Sequence, residues 1–388
     1  MVAMAQQQEY IAKTFPGLEG VLAEEIKALE GNQVEILNRA VKFRGNQALL
    51  YRSNLQLRTA LKILVPLFKC ACPNEKKLYQ AVYEYPWEEL FNIYNTFVID
   101  GVVHSRIFKH SHYAALKAKD AIADRFRDKY QRRPSVDKNQ PDYRINLHIF
   151  RDQCTFSLDS SGESLHKRGY KSKNVRAPLN EVLAAGMIML TGWDKTSRFI
   201  DPMCGSATLP IEAALIAHDI APGAYREHYG FTSWHDFDHN LFQELKNSLL
   251  PQPKKNAPPI HGCDISPQAI QTARKNLEKA NLTHHIHLSE ESLAQFTPPE
   301  QNKGVVIMNP PYGQKLKEKD ILHFYQRIGN ILKHKYTGYQ VWIFSNHIKA
   351  LKNVGLHPSK KYTLYNGPLE CKFQKYQIYQ GSLKKRKT

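Results

Sequence analysis

Five consecutive residues, Asn309-Pro310-Pro311-Tyr312-Gly313, combine a side-chain amide, two locked backbone positions and an aromatic ring. The Asn309 side-chain oxygen and the Pro310 carbonyl are both acceptors, and an exocyclic –NH2 group offers two protons to be held. Held by both, the nitrogen lone pair turns out of conjugation and toward an incoming methyl group. Pro311 stiffens the turn, and the ring of Tyr312 offers a face for a base taken out of its stack. The chemistry this suits is methyl transfer to the amine of a nucleobase. The bland alternative is an ordinary Pro-Pro turn, and the elements that would have to position these residues decide between the two.

The turn follows Gly304-Val-Val-Ile-Met308, an apolar run that reads as a buried strand stopped by the prolines and Gly313. That places it at a strand's C-terminal end, where open α/β sheets bind ligands. Upstream, Arg198–Asp201 reads as a strand, Pro202-Met-Cys-Gly-Ser206 as a tight turn, and Thr208–Ala217 as a helix with Pro210 in its first turn. Strand, glycine turn and helix N-terminus form a cradle for a charged small ligand. The spacing is not the dinucleotide fingerprint, and Ala207 stands where glycine is expected. Ile260–Asp264 is a second strand ending in a carboxylate, with Ser266 as cap and Pro267 at the first position of the next helix. An acid there suits a ribose diol. Ile286–Leu288 gives a third strand before Glu290, Glu291 and Ser292. Helix Ile321–Tyr336, strand Tyr339–Phe344 and a hairpin at Asn366-Gly367 continue the alternation. A helix over Glu181–Leu190 precedes the whole. Residues 221–258 read as an irregular insertion without chemistry.

The front reads differently. A helix pattern near Val21–Leu29 lies beside short strands at Val34–Ile36 and Val41–Phe43, a compact α+β piece. Phe97–Asp100 and Val102-Val103 read as strand, and Ile145-Leu147-Ile149 alternates as a half-buried one. Between them a long helix, Tyr113–Tyr130, carries Lys117 and Arg125 and is followed by Arg132 and Arg133. Ala114, Leu116, Ala121, Ile122 and Phe126 mark its apolar face. The strip His166–Lys173, with Arg168, Tyr170 and Lys171, interleaves cations with a ring, as a single strand of nucleic acid would require. A solvated helix face and a basic linker are the plain alternatives.

Composition agrees with a polyanionic partner. The 388 residues hold 54 Lys+Arg against 36 Asp+Glu, a formal charge of +18, and the pI is near 9.5. No apolar run approaches membrane-spanning length. The first eight residues lack a signal pattern. Six cysteines without paired spacing read as free thiols in a reducing, cytoplasmic setting, and no metal site is expected.

Taken together, Asp201-Pro-Met-Cys-Gly-Ser-Ala-Thr208 and Asn309-Pro-Pro-Tyr312 resemble the first and fourth motifs of class I S-adenosylmethionine-dependent methyltransferases. Pro16-Gly-Leu-Glu19 and the segment Leu158–Tyr170 are similar to bacterial THUMP-domain RNA methyltransferases, nearest the guanine-N2 methyltransferases of 23S ribosomal RNA. The resemblance implies a Rossmann-like α/β sheet behind an α+β front: a ferredoxin-like part (1–55), a THUMP domain (56–158) and a methyltransferase domain (159–388). It implies a cofactor set of Asp201, Pro202, Cys204, Gly205, Ser206, Thr208, Asp264, Ile265, Glu291, Ser292 and Asn309. The catalytic set it implies is Asn309, Pro310, Pro311 and Tyr312. Large-subunit ribosomal RNA is the implied partner. Cys204 sits on the cofactor loop and not on the fourth-strand turn, which argues against a cytosine-C5 nucleophile. Two rival readings are an adenine-N6 methylase, which shares the catalytic turn, and a non-enzymatic RNA-binding or ribosome-assembly protein with a decayed loop at Ala207.

Overall fold

The computed structural model describes residues 7–172, 179–250, 254, 256–299, 303–311 and 318–379. In chain order the front carries β1 (Gln8–Lys13), α1 (Glu19–Ala28), β2 (Asn32–Leu37), β3 (Ala40–Gly45), α2 (Gln47–Gln56), β4 (Lys62–Ala71), α3 (Glu75–Glu84), β5 (Thr96–His104), α4 (Ser111–Tyr130), β6 (Ser135–Val136), β7 (Tyr143–Phe150) and β8 (Gln153–Asp159). The rest carries α5 (Glu181–Leu190), β9 (Phe199–Asp201), α6 (Thr208–Ala217), α7 (His239–Ser248), β10 (Ile260–Asp264), α8 (Pro267–Lys279), β11 (Ile286–Glu290), β12 (Val305–Met308), α9 (Glu318–Lys335), β13 (Gln340–Ser345), α10 (Ile348–Asn353), β14 (Lys360–Asn366) and β15 (Leu369–Gln377). No helix among the described residues is long and apolar enough to cross a membrane.

Two compact units divide the chain, and neither is continuous. Unit one takes the described residues up to Thr14, then Ala23–Leu165 and Arg226–Ser248. Unit two takes Phe15–Leu22, His166–Tyr225 and the described residues from Leu249 onward.

Unit one is built on an eight-stranded sheet in the order β2-β3-β1-β4-β8-β7-β5-β6. Its central strand β4 holds Pro66, which a central strand tolerates only where the ladder is broken, and the β4–β8 register shifts between Pro66 and Phe68. α4 lays Ala114, Ala115, Ala118, Ala121, Ile122 and Phe126 inward. Leu116, expected on that face, is instead 41% exposed, because the alanine stripe takes the close approach. The insertion read as irregular also needs correction. It contains α7, and it closes an aromatic cluster in which Tyr51 stacks on Phe231 at 4.5 Å and meets Phe237 and Phe242 edge-on. Cys72 and Cys154 form a disulfide across a sequence separation of 82, which corrects the free-thiol reading for that pair. Sequence spacing hid it, because the β4–β8 pairing brings the two together. Cys70, Cys204, Cys263 and Cys371 are thiols.

Unit two is a seven-stranded sheet in the order β11-β10-β9-β12-β13-β15-β14. The first five strands run parallel, and β15 lies antiparallel between β13 and β14. Parallel strands are covered on both faces, which is why β12 is an unbroken apolar run with every side chain buried. The chain proceeds from β9 outward through β10 to β11, then returns to lay β12 on the other side of β9. Val305 pairs with Phe199 and Val306 with Ile200. The strand order therefore reverses between β9 and β12, and a crevice opens at such a switch point beyond the C-terminal strand ends. The Pro202–Ser206 turn and the Asn309 turn flank that point from adjacent strands.

A candidate active site at the strand ends

A cleft of about 880 Å³ lies at these strand ends, within unit two. From β9 and the turn after it come Asp201, Pro202, Met203, Cys204, Gly205 and Ser206. From β10 and its sequel come Asp264, Ile265 and Ser266. Ser292, Leu293 and Ala294 follow β11, Asn309 and Pro311 follow β12, and Phe324, Arg327 and Ile331 face in from α9.

The turn after β9 is held from both sides. The Cys204 N–H donates to the Cys263 carbonyl at 2.9 Å, and the Gly205 N–H donates to the Asp264 carboxylate at 2.9 Å. Gly205 adopts φ +53, and a Cβ there would meet nothing within 4 Å, so its backbone faces open space. Ala207 takes φ 62, ψ 30 as the residue preceding α6, and its N–H donates to the Cys204 carbonyl at 2.8 Å. That left-handed conformation explains the expected glycine. An alanine there costs on the order of 1 kcal/mol, which the three hydrogen bonds around the turn outweigh. α6 has no side-chain cap, so its first-turn N–H groups are available to an anion. The Thr208 Oγ1 at its start is buried without a hydrogen-bond partner among the described residues.

Two carboxylates share the cleft in different surroundings. Asp264 accepts from Gly205 and, through its other oxygen, from the Ser266 N–H at 2.9 Å. Asp201 is 2% exposed, and burial, assisted by the charge of Asp264, pushes its pKa up to about 8 against a single 3.2 Å hydrogen bond from the Met203 N–H. Both nearby thiols are silenced by the same burial: Cys204 is pushed well up, and Cys263 up to about 12. A protonated thiol is a poor nucleophile, in keeping with the rejection of a cysteine mechanism. Ile265 is 72% exposed at the cleft's edge, an apolar surface suited to one face of a heterocycle.

On the opposite lip the Asn309 Oδ1 is buried and has no hydrogen-bond partner among the described residues. Pro310 is buried and Pro311 exposed. Tyr312 and Gly313 lie outside the described residues. Of the other expected cofactor contacts, Ser292 lines the cleft. Glu291 does not, and its N–H donates to the Asp264 carbonyl at 3.1 Å. Phe324 and Arg327 escaped sequence reasoning; their spacing on α9 is helical but carried no chemical signal. Among the described residues no three His, Cys, Asp or Glu side chains gather as a metal site.

The basic strip requires correction. Arg168 is 3% and Tyr170 0% exposed. The Tyr170 hydroxyl donates to Glu212 at 2.8 Å, Arg168 Nε lies 3.6 Å from the same oxygen, and Lys171 pairs with Glu181 at 3.1 Å. Glu181 and Glu212 are the only charged residues of α5 and α6, so the strip meets the two charges of helices whose other residues are nearly all buried. As placed, these three side chains cannot receive a strand. Arg125 is likewise engaged: its guanidinium forks onto Glu88 at 2.6 and 2.7 Å, which holds that carboxyl down to about 2. Lys117 lies 5.8 Å from the centre of the Tyr79 ring. Arg132 and Arg133 stand exposed beyond the left-handed Gln131 that ends α4.

A doubly covered parallel sheet with a glycine turn, a strand-end carboxylate and an Asn-Pro-Pro turn at its switch point is the framework of a class I methyltransferase. The chain belongs to the family of the RMKL-like methyltransferase domain, which matches residues 168–375, preceded by a THUMP domain at 72–159 and an RlmL ferredoxin-like domain at 9–64. It is 37% identical to the Synechocystis sp. protein slr0064, whose name proposes an RNA methyltransferase, over 97% of this chain and 98% of that one. It is also 37% identical to the ribosomal RNA large subunit methyltransferase K/L of Syntrophotalea carbinolica over 95% of its own length, and it spans 53% of that relative. Among solved structures, SMU.472, described as a methyltransferase complexed with SAH, superposes with a TM-score of 0.86 at 27% identity, covering 98% of this chain and 100% of that one.

Proposed function

We propose that the protein transfers a methyl group from S-adenosylmethionine to the exocyclic N2 amine of a guanine in 23S ribosomal RNA. The lining of the cleft supports this reading part by part. The start of α6 suits its carboxylate, with Gly205 leaving open space beside it, and Asp201 suits its ammonium and sulfonium side. Asp264 suits the ribose diol, with Ile265 and Ser292 beside the adenine. When bound, the cofactor supplies an electrophilic methyl group. The observation that carries the catalytic role is the buried Asn309 Oδ1, which has no hydrogen-bond partner among the described residues. A native protein rarely leaves such an atom unsatisfied, and an acceptor held ready for a substrate amine accounts for it. Asn309 and the Pro310 carbonyl would hold the amine protons, and Tyr312 would stack the base. No strong general base is required, because the amine sheds its proton after methylation.

The two targets differ beside the amine. Guanine presents the N1–H donor there and adenine an acceptor, so a turn made of carbonyl oxygens favours guanine. The ordered turn around Ala207, with its hydrogen bonds intact, speaks against a decayed cofactor loop. RNA is the partner suggested by the THUMP domain, the +18 charge and the exposed Arg132 and Arg133. The deciding experiment quantifies modified nucleosides in 23S RNA from cells with and without the gene, and again with Asn309→Ala. Loss of one N2-methylguanosine per ribosome in both cases supports the proposal. Loss of N6-methyladenosine instead means the base is adenine. Asn309→Ala should keep cofactor affinity and lose roughly 10²–10³ in turnover, as for removal of one preorganised polar partner.

A further inference from the structure

Three cysteines meet at the end of the β4–β8 ladder. Cys70 and Cys154 are direct cross-strand partners, yet Cys154 is bonded to Cys72, two residues beyond Cys70. Side chains two apart on a strand share a face, and the preceding pair, Phe68 and Phe156, stacks at 4.8 Å with rings 9° from parallel. Cys70 and Cys154 therefore point to the same side. Directly paired residues have Cα atoms roughly 4.5–5.5 Å apart, inside the roughly 4.4–6.8 Å window of a disulfide. The observed Cys72–Cys154 pair spans 6.3 Å between Cα atoms. Cys72 lies just past the strand, its N–H donating to the Asp152 carbonyl at 2.6 Å, whereas Cys70 is free and half-buried. One sulfur thus has two cysteines within bonding reach, and one of them is already a thiol.

We infer that Cys70, Cys72 and Cys154 form a thiol–disulfide exchange set, in which the bridge moves between Cys72–Cys154 and Cys70–Cys154. The Cys70 thiolate attacks the Cys154 sulfur, and the bond to Cys72 breaks. The electron pair leaves on the Cys72 sulfur, which takes up the proton that Cys70 released. Each side of the exchange has one disulfide and one thiol, so no oxidant or reductant is consumed. Burial raises the Cys70 thiol, which keeps it mostly protonated and makes exchange slow, on the scale of minutes to hours. The two positions differ mechanically. With Cys72 bridged, the link Cys72-Pro73-Asn74 into α3 is tied down. With Cys70 bridged, the tie lies within the ladder and the link is released. α3 holds α4 through the Tyr79 and Tyr83 hydroxyls, which donate to Asp124 at 2.7 Å and Asp128 at 2.6 Å. A bridge that shifts therefore changes how tightly this helix pair is tethered. Where thiols are kept reduced, the bridges that persist are usually transient or redox-sensing ones.

The test maps disulfides in the full chain by mass spectrometry. Oxidised protein is held for several hours at mildly alkaline pH, quenched with acid, alkylated and digested with trypsin. Cys70 and Cys72 fall in one peptide, Cys70–Lys76, so fragment ions between them assign the bridge. The wild type should show both connectivities, with Cys70–Cys154 making up about one bridge in ten or more. Cys70→Ser should show only Cys72–Cys154. Cys72→Ser, treated with glutathione disulfide and shown to be folded by circular dichroism, should form Cys70–Cys154. The inference is overturned if the wild type holds Cys72–Cys154 alone at equilibrium, which decides the matter even where Cys72→Ser fails to fold. It is equally overturned if folded Cys72→Ser leaves both Cys70 and Cys154 open to alkylation.

Discussion

The buried Asp201 makes cofactor affinity depend on pH in a way the structure specifies. With its pKa raised to about 8 by burial, Asp201 is mostly protonated at pH 7 before the cofactor binds. A ligand carrying positive charge on its sulfonium and amine favours the ionised carboxylate, so binding must expel that proton. Apparent affinity should then tighten about tenfold per pH unit between pH 5.5 and 7.5, a change of about 1.4 kcal/mol per unit. The ligand's own α-amino group titrates near ~7.7–8.0, so the comparison belongs below that range. Calorimetry in buffers of different ionisation enthalpy should report close to one proton released per cofactor at pH 6.5. Asp201→Asn mimics the protonated group and should bind with an affinity flat across the same range. Stability follows the same linkage with opposite consequence. The folded pKa lies above the unfolded value of about 3.9, so the native state holds a proton the unfolded chain lacks. The contribution of Asp201 to stability is therefore fullest below about pH 4 and is lost as pH rises toward 8, and Asp201→Asn should remove that pH-dependent loss in thermal melts. A wild-type affinity independent of pH, or an Asp201→Asn slope equal to the wild type's, would refute the reasoning.

Asp264→Ala should weaken the cofactor about ten- to hundredfold by calorimetry, since hydrogen bonds to a charged group contribute about 1.5–3 kcal/mol; unchanged affinity would move the ribose elsewhere. Replacing Arg132 and Arg133 by Glu should weaken association with structured ribosomal RNA and lower the salt slope by roughly 0.7–0.9 for each phosphate no longer neutralised, measured by filter binding over a range of salt. An unaltered slope would place the RNA contacts on other cations. Glu212→Ala removes the buried carboxylate that Tyr170 and Arg168 share and should cost about 3–5 kcal/mol. The melting temperature should fall by on the order of 10 °C, and a shift below about 2 °C would show that the pair is already hydrated.

The parallel half was legible because its signals are local. Ser266 does cap α8, its side chain accepting from Ala269, and Asn366-Gly367 does turn β14 into β15. The cofactor turn and the Asn309 turn stood at strand ends that apolar runs announced. What failed depended on tertiary partners. Arg125, Arg168, Tyr170 and Lys171 have the composition of a nucleic-acid surface, but Glu88 and Glu212, 37 and 42 residues from Arg125 and Tyr170, and Glu181 at the start of α5 claim them in the fold. β4 carries no local strand signal through Pro66, because the bulge that admits a proline there cannot be seen in one strand alone. The Cys72–Cys154 bridge needed the β4–β8 pairing, and the role of residues 226–248 needed Tyr51 as the ring they cover.

That last segment has a consequence for how the protein is made. Unit one is not finished when the ribosome passes Leu165; its aromatic cluster waits for Phe231, Phe237 and Phe242, and the unit closes only at Ser248. At ~5–20 residues per second, the nascent front exposes the Tyr51 surface for roughly 4–17 seconds before its cover is synthesised. During that interval α5, β9 and α6 are already emerging. A front half cut at a single point carries the same bare surface permanently, so a free-standing version of unit one needs residues 226–248 supplied on a second strand of chain or spliced in by a short loop.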